Sequence, residues 1–325
     1  MSKLNYIAEL CQNHQGKMKN IEKMIYECVK AGATTIKMQY IFSKNLSFRP
    51  QFEFGAKIRN KRLIIKRPFS NEYKRLRGLD IPNSYYKNFL KICEKNRVTA
   101  AITCFAREHI DILRDLGFTK IKIASYDCSS YRLLEEVSKK FEHLIISTGA
   151  TYDEELLTTA KLLKNLNVNF SMLHCVTIYP TPINYLNLNR INYLKKITKN
   201  IGYSDHSLAY GKNKHLASMF AIYFGAKIIE RHIRIADIHE TKDGPVSLLP
   251  DEISEVIEFS KLSKKDMLIY LKDKFPINRN IVGGKSSRSL TRLEILNRDY
   301  YRGRFCSFTK KNKVPIYNWE ETKLN

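Results

Sequence analysis

The chain has 325 residues and a hydrophobic content of 43%, enough for a large core. No apolar run approaches the ~18 residues of a membrane helix and no signal pattern begins the chain, so we expect neither a membrane protein nor a secreted one. The net charge of +24 raises the hypothesis of nucleic-acid binding, but no stacking motif or zinc finger accompanies it, and a basic surface with an acidic substrate is preferred.

Eight apolar runs along the chain are predicted to be β-strands: residues 6–9, 35–39, 98–103, 120–125, 144–147, 169–174, 200–203 and 226–230. Helical patterns lie between them. One apolar stripe has the spacing of a helix face and comprises Ile21, Met24, Ile25, Cys28 and Val29. A second stripe follows Pro82, and a third follows the acidic pair Asp251 and Glu252.

Strict alternation of strands and helices over residues 1–265 predicts parallel strands joined by helical crossovers. Eight such units favour an α/β fold of the closed (β/α)8 TIM-barrel type. A doubly wound open sheet is the alternative, although no GxGxxG motif follows the first strand. Residues 266–325 are predicted to form a short basic C-terminal extension.

Each predicted strand ends in polar or charged side chains, and reactions in such barrels occur at the carboxyl ends of the strands. We therefore predict a ring of polar residues around one pocket. Its members are Glu9, Lys37, Gln39, Thr103, Lys122, Ser125, Ser147, His174, Ser204, Asp205, His206, Glu230 and His232. His174 is followed by Cys175 in an apolar run, so a core or supporting histidine is preferred there over a ligand.

Two of these runs, IGYSDHS and IIERHI, stop at a histidine. His206 and His232 would lie on neighbouring strands, where two imidazoles near carboxylates suit a divalent metal ion. The simpler alternative is that each histidine is a hydrogen-bonded residue at a strand end. The lysines and hydroxyls on the same rim favour the metal hypothesis, because they suit a substrate that carries a phosphate and a carboxylate.

Seven segments resemble the sialic acid synthase family in order and spacing: IAELCQNHQG, KMQY, KIKIAS, LIISTGA, LHCVTIYPTP, IGYSDHS and IIERHI. The family makes N-acetylneuraminate and related sugars, including legionaminate and pseudaminate, and the resemblance covers roughly residues 4–262. It implies a transferase that condenses phosphoenolpyruvate with an N-acetylhexosamine in a metal-dependent reaction. The acceptor would be N-acetylmannosamine or a related diacetamido sugar, and the products a nonulosonate and phosphate.

The resemblance also implies roles for individual residues. His206 and His232 correspond to metal ligands, with Mn²⁺ as the preferred ion and Mg²⁺ or Co²⁺ as alternatives. Phosphoenolpyruvate would be bound by Lys37, Thr103, Lys122, Ser125, Ser147 and Ser204. The sugar would be bound by Gln39, Tyr179 and Asp243. Catalytic roles would fall to Glu9, Lys122 and Asp127.

The chain also departs from the family pattern. Tyr126 replaces a glycine and Asp127 a glutamate; Cys104, Val176 and the loop 233–245 are also unusual. We expect an altered sugar specificity, with partial loss of activity as the alternative.

The family's C-terminal antifreeze-like domain, which donates an arginine to the partner's barrel, has no counterpart in residues 266–325. Arg302 or Arg304 could replace that arginine, although a position on a surface tail is the simpler expectation. A homodimer is therefore one possibility and is not implied by the resemblance.

Seven scattered cysteines form no CxxC pair, a pattern typical of reduced thiols, and we expect a cytoplasmic enzyme that feeds surface glycan synthesis. A degenerate or non-catalytic barrel with a regulatory role is the alternative. Nucleic-acid binding is the least favoured function.

Overall fold

Eight parallel strands form a closed barrel in the computed structural model, which describes residues 3–59 and 61–324. We number them β1 to β8 in chain order: Asn5–Glu9, Thr35–Tyr40, Thr99–Cys104, Lys120–Ile123, His143–Ser147, Asn169–Cys175, Ile201–Asp205 and Ile228–Ile233. Strand β8 pairs with β1, from Ile228 beside Asn5 to His232 beside Glu9, and this pairing closes the sheet. The predicted (β/α)8 barrel and its eight strands are confirmed.

Eight crossover helices surround the barrel: Met18–Lys30, Asn83–Lys95, Ile110–Leu116, Tyr131–Ser138, Asp153–Asn165, Arg190–Leu194, Leu216–Tyr223 and Ile253–Ser260. Each packs an apolar stripe against the outer face of the sheet. In the first helix the buried residues are Ile21, Met24, Ile25 and Cys28, as the spacing predicts. Short 3₁₀ turns occupy Ser43–Asn45, Arg107–His109, Ser125–Asp127, Ile183–Tyr185, Gly244–Val246 and Pro250–Glu252.

The barrel interior has an apolar floor and a polar upper level. A small cluster, separate from the main core, combines Ile7, Ile145, Leu173 and Ile228 from β1, β5, β6 and β8. Alternate residues of a strand point to the same face, so side chains two positions further along these strands lie above this floor. Glu9, Ser147 and Glu230 occupy such positions, which brings polar groups together at the carboxyl end of the barrel.

A long insertion follows β2 and contains most of the basic segment 57–77. It includes the helices Gln51–Phe54 and Phe69–Arg77 and a hairpin of Ala56–Ile58 with Lys61–Ile64. After β8, the two-residue strand Ser247–Leu248 returns beside the end of that strand, with Ser247 next to His232. Both segments lie at the same end of the barrel and border its mouth.

The C-terminal extension first packs on the barrel and then crosses its mouth. Its helices are Lys264–Lys274, Arg279–Gly283 and Arg292–Tyr301, and Ser307–Phe308 pairs with Pro315–Ile316. The first of these helices contributes Met267 and Leu271 to the main core, so the boundary at residue 265 stays a prediction. Further along, Asn297 donates a hydrogen bond to the carbonyl of Thr177 at 2.7 Å. Across the described residues, no helix has the length and apolarity that a bilayer crossing requires.

Candidate active site

A cavity of about 310 Å³ opens at the carboxyl ends of the strands, a volume suited to a small-molecule substrate. Its lining includes every residue that was expected to bind substrate, to bind the ion or to act in catalysis: Glu9, Lys37, Gln39, Thr103, Lys122, Ser125, Asp127, Ser147, Tyr179, Ser204, His206, His232 and Asp243. The structure thus brings all of them together around one space.

Two members of the predicted polar ring lie elsewhere. His174 is buried away from the cavity, where its Nε2 is 2.7 Å from the carbonyl oxygen of Leu186. Burial lowers the pKa of His174 to about 3, so the ring is a neutral core side chain. Asp205 points to the outer face between Ser204 and His206 and forms a buried ion pair with Arg231. The prediction of a complete ring is therefore wrong at Asp205, whereas His174 lies in the core, as its apolar sequence context favours.

Glu230 lies at the centre of the cavity floor, although sequence reasoning assigned it no role. Its carboxylate accepts hydrogen bonds from Lys122 Nζ at 2.9 and 3.1 Å and from Ser204 Oγ at 2.7 Å. Lys37 Nζ is 3.7 Å away. Burial alone would raise the pKa of Glu230, but Lys122 and Lys37 hold it well below its usual range. Glu230 is therefore an anion that orients both lysines.

The two lysines differ in their surroundings. Lys37 forms an ion pair with Glu9 and donates a hydrogen bond to Thr103 Oγ1 at 3.0 Å. Burial opposes its charge, yet the nearby Glu230 and Glu9 raise the pKa of Lys37, which stays an ammonium ion. Burial dominates at Lys122 and lowers the pKa of its amine. Lys122 is thus the lysine whose proton is more readily moved.

Three serines face the same space. Ser125 Oγ accepts a hydrogen bond from the Gly149 amide at 3.2 Å, and a Cβ on that glycine would lie 3.0 Å from the hydroxyl and 2.7 Å from Thr177 Cγ2. Ser147 is 3% exposed, and its hydroxyl has no hydrogen-bond partner among the described residues. A buried hydroxyl on a cavity wall is normally satisfied, so Ser147 is a donor available to a bound ligand.

The two predicted metal ligands lie edge to face, with the ring centroids of His206 and His232 5.1 Å apart. Burial, with the neighbouring His232 as the next cause, lowers the pKa of His206 well below its usual range and keeps the ring neutral, as a metal ligand must be. His206 Nδ1 lies 3.5 Å from Cys175 Sγ, and the Tyr179 ring is centred 4.2 Å from the imidazole. These contacts orient the His206 ring.

A further set of possible metal ligands includes His232. Cys11, His232 and Asp243 each present a donor atom within 4.8 Å of the other two. His232 Nδ1 is buried and has no hydrogen-bond partner in the part of the chain that the structure describes. An imidazole, a carboxylate and a thiol are donors that divalent transition ions accept, so the residues fit a metal ion.

Asp127 is a buried carboxyl at the cavity wall. Its Oδ1 accepts hydrogen bonds from Ser130 Oγ at 2.8 Å and from Asn318 Nδ2 at 3.1 Å. Burial raises the pKa of Asp127, and these two hydrogen bonds partly oppose the rise. A carboxyl with a raised pKa is suited to proton transfer near neutral pH.

Several cationic side chains surround the mouth of the cavity, and the sequence did not predict this cluster. Arg67, Arg75, Lys242 and Arg304 all line it. Glu72 joins three of them: it accepts two hydrogen bonds from Arg75 at 3.0 and 2.9 Å, pairs with Arg304 and lies 3.9 Å from Lys242. Burial acts to raise its pKa, but Arg75 and the other cations lower the pKa of Glu72 to about 2. Part of the basic segment 57–77 therefore serves the cavity.

Arg304 corrects an expectation about the extension. It was expected on a surface tail, but it is 8% exposed and lines the cavity, because the segment before it crosses the barrel mouth. Ser47 anchors this crossing: its amide donates to the Arg304 carbonyl at 2.9 Å, and its hydroxyl donates to the Gly303 carbonyl at 2.5 Å. Arg302 is not part of the cavity lining and stacks over Trp319, with its guanidinium carbon 5.0 Å from the ring centroid.

Comparison with known protein families identifies the family of this chain. The sequence model of the NeuB family matches residues 24–267, more than half of the chain. This chain belongs to the NeuB family. The family membership expected from the seven sequence segments is thereby confirmed.

Named relatives of this NeuB-family chain make nonulosonates. A pseudaminic acid synthase of Campylobacter jejuni is 28% identical over 261 residues, which are 79% of this chain and 72% of that protein. The human N-acetylneuraminate-9-phosphate synthase is 26% identical over 262 residues, 80% of this chain and 70% of that protein.

A solved structure shares the barrel: the N-acetylneuraminic acid synthetase of Leptospira borgpetersenii superposes with a TM-score of 0.67 at 23% identity, covering 85% of this chain and 94% of that one. At this identity the likeness concerns the fold alone.

Proposed function

We propose that this chain is a nonulosonate synthase that condenses phosphoenolpyruvate with an N-acetylhexosamine. N-acetylmannosamine or a related diacetamido sugar would be the acceptor, and the products would be a sialic-acid-like nonulosonate and inorganic phosphate. The observation that carries the proposal is the cavity itself, where two lysines, three serines and two histidines meet at one end of a NeuB-family barrel.

Phosphoenolpyruvate would occupy the lower part of the cavity. Its phosphate and carboxylate require cations and hydrogen-bond donors, which Lys37, Lys122, Thr103, Ser125, Ser147 and Ser204 supply. The Ser147 hydroxyl supports this placement most directly. It has no hydrogen-bond partner among the described residues, so a bound ligand would supply one. Glu9 and Glu230 keep the two lysines in position before the substrate arrives.

His206 and His232 would hold the divalent ion, with Mn²⁺ as the ion expected from the resemblance and Mg²⁺ or Co²⁺ as alternatives. When bound, the ion would supply Lewis-acid polarisation of the sugar aldehyde. Gln39, Tyr179 and Asp243 would contact the sugar. Arg304 would add a cation from the extension of the same chain, so the arginine would not need to come from a partner subunit.

Carbon C3 of phosphoenolpyruvate would attack the aldehyde carbon and form the new carbon–carbon bond. The carbonyl electron pair would move to oxygen, which would take a proton from Lys122 or from Lys37, the ammonium ion that Glu9 holds. Asp127 would then take a proton from the water that adds at C2. The resulting C2 hydroxyl would lose its proton to the departing phosphate as the C2–O bond breaks, which leaves the ketone. The raised pKa of Asp127 suits this proton transfer.

A degenerate or non-catalytic barrel is the second candidate. One observation favours it. Asp127 Oδ1 already accepts hydrogen bonds from Ser130 and Asn318, which occupy an oxygen that would otherwise be available to take a proton from water. Such a protein would bind phosphoenolpyruvate without turning it over. A cytoplasmic location and a homodimer stay predictions.

The test is phosphate release from phosphoenolpyruvate by metal-free protein, with and without added Mn²⁺, against a panel of N-acetylhexosamines. The proposal expects release that requires both the ion and one sugar. Phosphoenolpyruvate binding by calorimetry with no release across the panel would overturn the synthase proposal and support the second candidate.

A further inference from the structure

We propose that Cys11 is a ligand of the metal ion, so that the ion is bound by a thiolate, an imidazole and a carboxylate from Cys11, His232 and Asp243. The inference rests on the proposed metal dependence of the reaction. Of the two histidines that the sequence predicts, this ligand set contains His232; it adds the Cys11 sulfur and makes Asp243 a ligand of the ion instead of a contact of the sugar. It also changes which ions the site should select.

The three donors are already assembled. Cys11 Sγ lies 2.8 Å from Asp243 Oδ2, and a donor atom of His232 lies within 4.8 Å of both. Cys11 is 4% exposed and His232 8%. His232 Nδ1 makes no hydrogen bond to any described group, although buried imidazole nitrogens are normally satisfied. The imidazole is therefore not fully satisfied by the described groups, and one of its ring nitrogens already lies within 4.8 Å of the other two donors.

The backbone holds this cluster rigidly. Cys11 follows the end of β1, whose Glu9 is the register partner of His232 on β8. Asn13 donates hydrogen bonds to the Ile233 carbonyl at 2.7 Å and to Ser247 Oγ at 2.9 Å. Ser247 Oγ in turn donates to the Asp243 carbonyl at 2.6 Å. These bonds tie together the three segments that carry the donors, as preorganised metal sites require.

The conformation of Cys11 is a further indication. Its φ is +48°, in the left-handed region where glycine is favoured and a side chain carries a conformational cost. A side chain at such a position usually has a function that compensates for the cost. Here the left-handed backbone positions Sγ beside Asp243 and within hydrogen-bonding reach of Gln39, at 3.3 Å from its Nε2.

Metal binding has a defined proton balance in this site. Without the ion the thiol donates a hydrogen bond to Asp243; with the ion, the thiol proton is released and both sulfur and carboxylate become ligands. A thiolate favours Zn²⁺, Fe²⁺ and Co²⁺ over Mg²⁺. The site should therefore prefer these softer ions, in contrast to the Mn²⁺ preference expected from the resemblance.

Absorption spectroscopy of the cobalt-loaded full chain tests the inference. We expect a near-ultraviolet thiolate-to-cobalt charge-transfer band in the wild type and its loss in Cys11→Gly, with cobalt binding weakened about 10-fold or more. Glycine is the appropriate replacement because the φ of +48° suits it, so folding should survive. Cys11→Ser serves as a second variant, and far-ultraviolet circular dichroism checks the fold of both.

Cys175→Ala is the matched control, since the Cys175 thiol is 3.5 Å from His206 Nδ1 and is the rival source of a sulfur band. The band should persist in this variant. Cobalt binding measured by calorimetry without any charge-transfer band would overturn the role of Cys11 and leave the metal-dependent function standing. A band that is lost only in Cys175→Ala would also overturn it, and failure to bind cobalt at all would overturn both proposals.

Discussion

Tyr126 of the barrel stacks on Tyr301 of the C-terminal extension, with ring centroids 5.0 Å apart and planes inclined by 18°. The next barrel residue, Asp127, accepts a hydrogen bond from Asn318 of the same extension. Both are residues at which the resemblance implies a departure from the family pattern, and both contact the C-terminal extension. The departures at positions 126 and 127 are therefore parts of one arrangement, in which the extension packs onto the wall of the cavity.

Replacing Asn318 by alanine should raise the pKa of Asp127 further. The hydrogen bond from the Asn318 amide stabilises the ionised carboxylate and lowers its pKa. Without this bond, the pKa-raising effect of burial is less fully offset. We expect the acidic limb of the pH–rate profile for phosphate release to move to higher pH.

Asn297→Ala is the control for that experiment, because Asn297 also belongs to the extension but bonds to the Thr177 carbonyl. Its acidic limb should stay where the wild type has it. An unshifted limb in Asn318→Ala would mean that Asp127 does not control the rate.

Arg304→Ala should weaken sugar binding. Arg304 lines the cavity, whereas its neighbour Arg302 stacks over Trp319 and is not part of the lining. Loss of one charge-assisted hydrogen bond, worth about 1.5–3 kcal/mol, should raise the KM for the sugar about 10-fold or more with a smaller change in kcat. Steady-state kinetics should show a near wild-type KM for the sugar in Arg302→Ala, and an equal rise of this KM in the two variants would contradict the placement.

Glu72→Gln should destabilise the cation cluster at the mouth. The pKa of Glu72 is about 2 in the folded protein, below its ordinary 4.5. The stabilisation is therefore fully present above about pH 4.5 and is lost as the pH falls toward 2. At pH 7 the variant should lose about 3 kcal/mol of unfolding free energy, as expected when one partner of a buried ion pair is removed.

Thermal unfolding of Glu72→Gln and wild type over a pH series measures this effect. The difference in Tm should be constant from neutrality to about pH 4.5 and should narrow as the pH falls below that value. A difference that is constant with pH would assign the loss to packing rather than to charge.

Ser147→Ala should lower the affinity for phosphoenolpyruvate without lowering stability. The Ser147 hydroxyl bonds to no described group, so its loss removes nothing from the folded chain. Ser204→Ala is the contrasting variant, since it also breaks the 2.7 Å bond to Glu230. Calorimetric titration with phosphoenolpyruvate should show about 10-fold weaker binding for Ser147→Ala. Unchanged affinity would remove Ser147 from the binding site.

The barrel and the inner ring could be predicted from sequence because both follow from strand register. Once β1 and β8 are recognised, Glu9 and His232 must adjoin, and alternate residues must share a face. The same rule, applied more strictly, would have excluded Asp205, which lies between two inward residues.

The mouth of the cavity could not be predicted in this way. Glu72 and Arg304 are 232 positions apart and meet through tertiary packing that no periodicity encodes. Cys11 was also missed, because its proximity to Asp243 depends on a left-handed backbone and on a loop of unusual sequence. Glu230 was predicted as a member of the ring but received no individual role, although it lies two positions before His232 on the same face.

Product analysis by carbon-13 NMR, with labelled phosphoenolpyruvate, ion and the acceptor sugar, is the direct test of condensation. We expect one product in which labelled C3 is bonded to the former aldehyde carbon of the sugar, together with an equal amount of inorganic phosphate. Labelled pyruvate beside unchanged sugar would show hydrolysis without condensation, and the protein would then not be a synthase.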